Sequence, residues 1–400
     1  MTSPMTQKKP GVNFFGPSET ADGIGRAASL NLQCLSDTEF GIEKFVLSRP
    51  VALQKTNQLV ITDALVKSLP YKINYFHFSA RWVPHYFAQL SAGALDGFHN
   101  IGYWMCEVPG IPEQWAKQFR FFDEVWTGSA FCQQAMSRSS NIPILLMPHP
   151  IEMFPVTDRM KDRRNGVYCG AFSFLTVANV YSDAERKNIL FTVRAFLNAF
   201  GDRHDVQLVL KISNLEYDPL LEAKLKSICE KHLNVKVLPG YVENEVINGL
   251  YDQTDAYVSL HRAEGFGFTI SDAISRGIPV ITTGYSGNVD FCDRADTMLV
   301  DYKLREIGHE RLRYKKEAIW AEPDMASATR GLAEMVERYG ERLMLADHAK
   351  IRVNQDFSLR RVSTLMQARL SIIDRQFNFD NDLDGRVMDH EVGINQTYGF

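Results

Sequence analysis

The chain has 400 residues, too many for one core of average size and enough for two domains that each bury a hydrophobic interior. Hydrophobic residues make up 45% and charged residues 23%, with 26 glycines and 16 prolines, a balance that excludes collagenous and wholly disordered chains. A formal net charge of −4 offers no basic excess to phosphates, so no nucleic-acid partner is expected. Six cysteines (Cys34, Cys106, Cys132, Cys169, Cys229 and Cys292) lie far apart without a C-x-x-C pair, which argues against a zinc cluster or a disulfide framework and for a reducing cytoplasm. The run Met1 to Pro10 is polar, with no apolar signal core, and no stretch approaches the ~18 apolar residues of a spanning helix. The expected setting is cytoplasmic, with peripheral contact at the inner face of a membrane left open, and the oligomeric state is not set by the sequence.

In chain order, Val12 to Phe15, Phe45 to Ser48, Ile73 to Phe78, Ile101 to Met105, Glu124 to Trp126 and Ile144 to Met147 read as strands. Segments such as Ile24 to Leu35 and Ala130 to Ser137 read as helices between them, and repeated β-then-α order implies a parallel sheet. Pro148-His149-Pro150 and the charged run Asp158 to Asn165 are expected to extend neither element, which puts a domain boundary there. The rhythm then restarts with a strand at Gly166 to Cys169 and a helix at Asn188 to Phe200 that carries Ile189, Leu190, Val193, Phe196, Leu197 and Phe200 on one face. Strands at Val206 to Leu210, Val235 to Leu238 and Ala256 to Leu260 alternate with helices at Leu220 to His232 and around Glu245 to Asp252. The expected architecture is α/β with two Rossmann-like domains, 1–152 and 153–358, and a ligand site in the cleft between them. A C-terminal helix over 359–375 that packs back on the first domain and a polar, loosely ordered tail over 376–400 are also expected.

The most informative segment is Ser259-Leu-His-Arg-Ala-Glu-Gly-Phe-Gly-Phe-Thr-Ile-Ser-Asp272. An apolar strand runs into a turn at Gly265 and Gly267, and the helix that follows opens with N–H groups lacking an intrahelical partner. Free N–H groups and the helix dipole together favour a phosphate at that end. Glu264 before the helix and Asp272 within it are suited to bind sugar hydroxyls; as a structural alternative, both are solvated surface acids.

This segment, with Pro279-Val-Ile-Thr and Gly284-Tyr-Ser-Gly-Asn-Val-Asp-Phe291, resembles the donor-binding signature of the family-4 retaining glycosyltransferases, which have the GT-B fold. The family's pair of glutamates separated by seven residues corresponds to Glu264 and Asp272, the second being one methylene shorter. Further blocks resemble the family in the same order: Tyr103-Trp-Met-Cys-Glu107, Asp123-Glu-Val-Trp-Thr-Gly-Ser129, Arg186-Lys-Asn188, Leu208-Val-Leu-Lys211 and Trp320-Ala-Glu-Pro-Asp324. The resemblance covers the chain from Gly11 to about Arg375.

It implies two Rossmann-like domains facing each other across a cleft, and a retaining hexosyl transfer from a nucleotide-diphosphate sugar to a glycan or lipid-linked acceptor. GDP-mannose is the first donor it suggests, with UDP-sugars close behind, in bacterial surface polysaccharide or glycolipid assembly. No cofactor and no metal are expected, because basic side chains and backbone N–H groups stabilise the leaving pyrophosphate. The implied catalytic residues are Glu264, Lys211 and Lys187. The implied donor-binding set adds Gly23, Gly25, Arg186, Tyr241, Val242, Gly265, Phe266, Gly267, Phe268 and Asp272, and the acceptor side takes Trp104, Glu107 and His77. For Trp104 a plain core position, and for His77 a satisfied or surface histidine, are the competing readings. The chain departs from many relatives in having Gly170-Ala171 where an arginine commonly follows the glycine, with Arg186-Lys187 farther downstream.

Two other readings compete. Gly23-Ile-Gly25-Arg-Ala-Ala28 matches the G-x-G-x-x-A dinucleotide fingerprint, with Glu43 about twenty residues on, as in an NAD-dependent oxidoreductase. The first strand ends near Gly16, however, several residues too early. The shortened Asp272 keeps a noncatalytic sugar-nucleotide-binding protein in view. Asp380 to Asp384 imitates an acid-x-acid metal signature but lies in the polar tail.

Overall fold

The computed structural model describes residues 10–20, 22–48, 60–310 and 314–394, with side chains as far as Phe377. The described residues form two compact units, one from 10–103, 120–125 and 359–394, the other from 104–119 and 126–358.

In the first unit, β1 (Gly11–Gly16), β2 (Gly41–Val46), β3 (Ile73–Phe76) and β4 (His99–Tyr103) are parallel, in the order β2-β1-β3-β4. β1 and β3 are buried along their whole length, as expected of central parallel strands covered on both faces. Their register is pinned by a buried amide ladder: Asn13 Nδ2 donates to Asn74 Oδ1 at 2.8 Å, and Asn74 Nδ2 to Asn100 Oδ1 at 2.9 Å. The helix Gly23–Ser36 follows β1, capped by the Asp22 carboxylate, which accepts from the N–H groups of Ile24 and Gly25 at 2.8 and 3.0 Å.

The last helix, Leu359–Ile394, also belongs to this unit. Val362, Met366, Leu370 and Ile373 form its buried stripe, and Arg369 forks onto Glu124 at the start of β5 (Glu124–Thr127). It does not stop near Arg375 as the polar composition suggested. No proline follows Pro323, so nothing interrupts the backbone, and a nucleated helix extends at the cost of ordering one residue per hydrogen bond.

In the second unit, β6 (Ile144–Leu146) precedes a parallel sheet of β7 (Phe172–Asn179), β8 (Val206–Ser213), β9 (Val235–Pro239), β10 (Ala256–Ser259), β11 (Val280–Thr283) and β12 (Met298–Val300). Its order is β12-β11-β10-β7-β8-β9. The chain builds outward from β7 and then returns to β10 on the other side, so β7 and β10 bracket the switch point where doubly wound folds place their ligands. An antiparallel hairpin, β13 (Tyr302–Glu306) and β14 (Ile319–Pro323), follows β12.

Two sequence expectations change here. The run Asp158 to Asn165 is not a break but a helix, Asp158–Arg164, capped by Thr157 Oγ1. Its charges have a buried target: Arg159 and Arg163 both fork onto Asp255, which also accepts from the Ser173 N–H at 2.8 Å. Gly166 to Cys169 is not a strand: Val167 and Tyr168 are exposed, the Val167 N–H caps the preceding helix through Asp162 O, and the sheet begins at Phe172. No described helix is long and apolar enough to cross a membrane.

Candidate functional site

The segments leaving β7 and β10 meet in one cluster. After β7, a single helical turn, Ala184–Lys187, ends because Asn188 adopts the left-handed conformation, φ 56°, before the helix Ile189–Phe200 begins. Asn188 is anchored by its Nδ2, which donates to Leu260 O at 3.0 Å. The break lets two adjacent residues serve one carboxylate. Lys187 Nζ donates to Glu264 Oε1 at 2.6 Å and Arg186 Nη1 to Glu264 Oε2 at 3.2 Å, with a further bond from Nη1 to Ala263 O at 2.7 Å.

Glu264 is itself held through its backbone. Its N–H donates to Ser286 Oγ at 2.7 Å, and its carbonyl accepts from the Gly287 N–H at 2.9 Å. Ser286 sits at φ 73° and ψ −153°, and its hydroxyl donates to Tyr285 O. Next to Glu264, Gly267 takes φ 107° and caps the helix Phe268–Ser275 without any side chain, so no cap competes for the first N–H groups there.

Burial alone would raise the Glu264 carboxyl, but the Lys187 and Arg186 charges overcome it and hold the group down at about 2. Burial works against the Arg186 charge, which Glu264 and Glu107 more than offset, so the guanidinium is held above its ordinary value. Lys187 is pushed below the usual lysine value by burial, with Arg186 adding to the effect and Glu264 resisting it. His261, also fully buried, is pushed down to about 4 by its burial. Arg262 points the other way, forking onto Glu322 at 2.8 and 3.1 Å and lying over the Trp320 ring, which explains the Trp320 to Asp324 block as support for the strand end.

The other sequence-derived residues are divided between the two units. Glu107 joins the cluster, with Oε1 4.0 Å from Arg186. Lys211 does not: it lies inside β8 rather than at its end, its Nζ donates to Gly240 O and Ser213 Oγ, and burial lowers its pKa. Tyr241 is exposed, with its hydroxyl accepting from Asn214 Nδ2 at 3.0 Å, and Val242 beside it is partly buried. Phe266 is a core ring packed on His149 and Phe291, Phe268 is partly buried against it, and Asp272 is buried within its helix. Trp104 is wholly buried, stacked on Phe119. His77 is buried in the first unit, stacked on Tyr103, and burial pushes it down to about 3. Both rings are buried, as the competing core reading of Trp104 has it.

Gly23 and Gly25 also lie in the first unit, and the Gly25 N–H expected to meet pyrophosphate is engaged by Asp22. A carboxylate at that helix N-terminus occupies the place a dinucleotide would need for its own negative charge, which weighs against the oxidoreductase reading. Sequence reasoning missed Asn188, Ser286, Gly287 and Tyr314. The first three stood in blocks already noticed, but a left-handed Asn or a strained Ser leaves no periodic signal.

Residues 128–339 match the model of the family described as Family 4 Glycosyltransferase in conflict systems. Among solved structures, HepE from Anabaena, in complex with UDP and glucose, is 13% identical with a TM-score of 0.61, over 90% of this chain and 99% of that one. A glycosyltransferase from Rickettsia africae is 14% identical with a TM-score of 0.65, over 91% and 98%. Sucrose-phosphate synthase from Thermosynechococcus elongatus is 14% identical with a TM-score of 0.64, over 92% and 100%. These likenesses establish the two Rossmann-like sheets as the GT-B fold. None of the curated proteins gives a significant match.

Proposed function

The chain belongs to the family-4 glycosyltransferases of conflict systems, and from that premise we propose that its second unit binds a nucleotide-diphosphate sugar at the Arg186–Lys187–Glu264 cluster. One observation carries the reading: two cations from the segment after β7 and one carboxylate from the segment after β10 converge at the topological switch point, beside a helix N-terminus with no side-chain cap. When the glycosidic bond breaks, negative charge grows on the leaving diphosphate. Arg186, Lys187 and the first N–H groups of the helix Phe268–Ser275 are the groups that would stabilise it. When the donor binds, before that bond breaks, Glu264 cedes its two cations to the diphosphate and turns to the hydroxyls of the hexose to be transferred. The leaving phosphate accepts the acceptor's proton, and the anomeric configuration is retained.

The acceptor in this reading is a hydroxyl of a glycan or lipid-linked glycan, as in surface polysaccharide assembly. All six cysteines are free, which supports a reducing, cytoplasmic compartment. GDP-mannose remains a donor to test, but UDP-sugars come first, because HepE of the same fold holds UDP.

The test is a thermal-shift panel of UDP, GDP and NAD, followed by turnover with UDP-glucose and GDP-mannose. A ligand that binds only the native state raises its melting temperature, so UDP or GDP should stabilise the wild type and do so less in Lys187→Ala. Stabilisation by NAD alone would overturn the reading. Product of inverted configuration, seen by NMR, would overturn the retaining mechanism.

A further inference from the structure

Tyr314 stands between β13 and β14, far in sequence from every residue of the cluster, yet it is buried and its hydroxyl donates to Oε2 of Glu107. The other oxygen of that carboxylate is 4.0 Å from the Arg186 guanidinium, just beyond hydrogen-bond reach. Arg186 meanwhile spends its fork elsewhere: Nη1 on Ala263 O and Glu264 Oε2, Nη2 on Ser182 O at 3.0 Å. Two carboxylates therefore pair with one guanidinium, and of the two only Glu264 is hydrogen-bonded to it.

We propose that Tyr314 is a positioning residue of the donor site, holding Glu107 off Arg186 so that the Arg186–Lys187 pair stays free to exchange Glu264 for a diphosphate. The inference rests on the donor-site reading above and deepens it. The physical reason is a competition between donors. A partly buried carboxylate such as Glu107 takes the strongest hydrogen bonds within reach, and an O–H to a carboxylate oxygen is one of the strong ones. With the phenol removed, a movement of about 1 Å brings Glu107 into a charged hydrogen bond with Arg186. Arg186 would then be engaged by two carboxylates, and an arriving diphosphate would have to displace both. Tyr314 is well placed to stay protonated: burial, with Glu107 close by, drives its pKa well above the ordinary tyrosine value.

The experiment is calorimetric titration of UDP and GDP into the wild type, Tyr314→Phe, Glu107→Gln and the double variant, with melting temperatures recorded without ligand. Tyr314→Phe should weaken the better-bound nucleotide by about tenfold or more. Glu107→Gln keeps the shape and accepts from Tyr314 but carries no charge to draw Arg186, so it should bind at least as tightly as the wild type. The double variant should return to within about threefold of the wild type, a rescue that a merely structural tyrosine would not allow. Unchanged binding in Tyr314→Phe, a loss that persists in the double variant, or weakened binding in Glu107→Gln would each overturn the proposal. The last of these holds even if Tyr314→Phe does not fold. If the wild type binds neither nucleotide, the donor-site reading itself falls and takes this inference with it.

Discussion

Gly287 is packed against Gly265 so closely that a β-carbon at 287 would lie 1.9 Å from the Gly265 carbonyl oxygen and 3.0 Å from that of Glu264. The obstacle is backbone, which cannot swing aside as a side chain would. The same carbonyl of Gly265 also accepts from Ser129 Oγ at 2.7 Å, so the turn carrying Glu264 is held on both sides. Gly287→Ala should therefore push the Glu264 turn out of place, costing on the order of 1–3 kcal/mol of stability and a larger share of nucleotide affinity. A melting curve and a UDP or GDP titration check both effects, and an alanine variant with wild-type values for both would show that the turn is soft.

Lys187→Ala removes the shortest contact to Glu264 and one of the two cations at the switch point. Turnover at saturating donor is expected to fall on the order of a hundredfold, as when a single charge-stabilising donor is lost. Wild-type turnover in steady-state assays would place the diphosphate elsewhere.

Acid should reveal the same pair. The Glu264 carboxyl gives up its proton more readily in the native state, at about 2, than in the unfolded chain, near 4.5, so between these values the unfolded state binds more protons. The stability it contributes is fully present above about pH 4.5 and is lost as the pH falls towards 2. Glu264→Gln should flatten that limb of the plot of melting temperature against pH. His77 and His261, buried and held near 3 and 4, add a limb of the same sign that begins at about pH 6.5 and remains in the variant. A Glu264→Gln profile that parallels the wild type below pH 4.5 would contradict the assignment.

Asp255→Asn leaves Arg159 and Arg163 facing a neutral amide in a fully buried place. Breaking one side of such a cluster is expected to cost on the order of 3–5 kcal/mol, read as a lowered denaturant midpoint with an unchanged slope.

The alternation of elements and the strand, turn and helix from Ser259 to Asp272 were legible because they are local: apolar runs, glycines and a helix start lie side by side in the chain. What escaped was set by partners remote in sequence. The run Asp158 to Asn165 looked like a linker because the acid that turns it into a clamp, Asp255, lies 92 residues from Arg163. Lys187 meets Glu264 across 77 residues and Tyr314 meets Glu107 across 207, separations on which periodicity is silent. Trp104 and His77 show a different limit, since the sequence left two readings open at each. An aromatic and a histidine near strand ends suit a sugar site as well as a core, and packing against Phe119 and Tyr103 decided for the core.

Ser286 shows how selection for robustness could mislead. Its backbone lies in a region that only glycine occupies without strain, while its hydroxyl holds the amide of Glu264. Ser286→Gly should therefore relax the main chain and raise the melting temperature, yet slow turnover as Glu264 loses its tether. A library screened for heat resistance alone would enrich this glycine and report it as an improvement. Scoring the same clones for product would show the serine to be a strain retained for function.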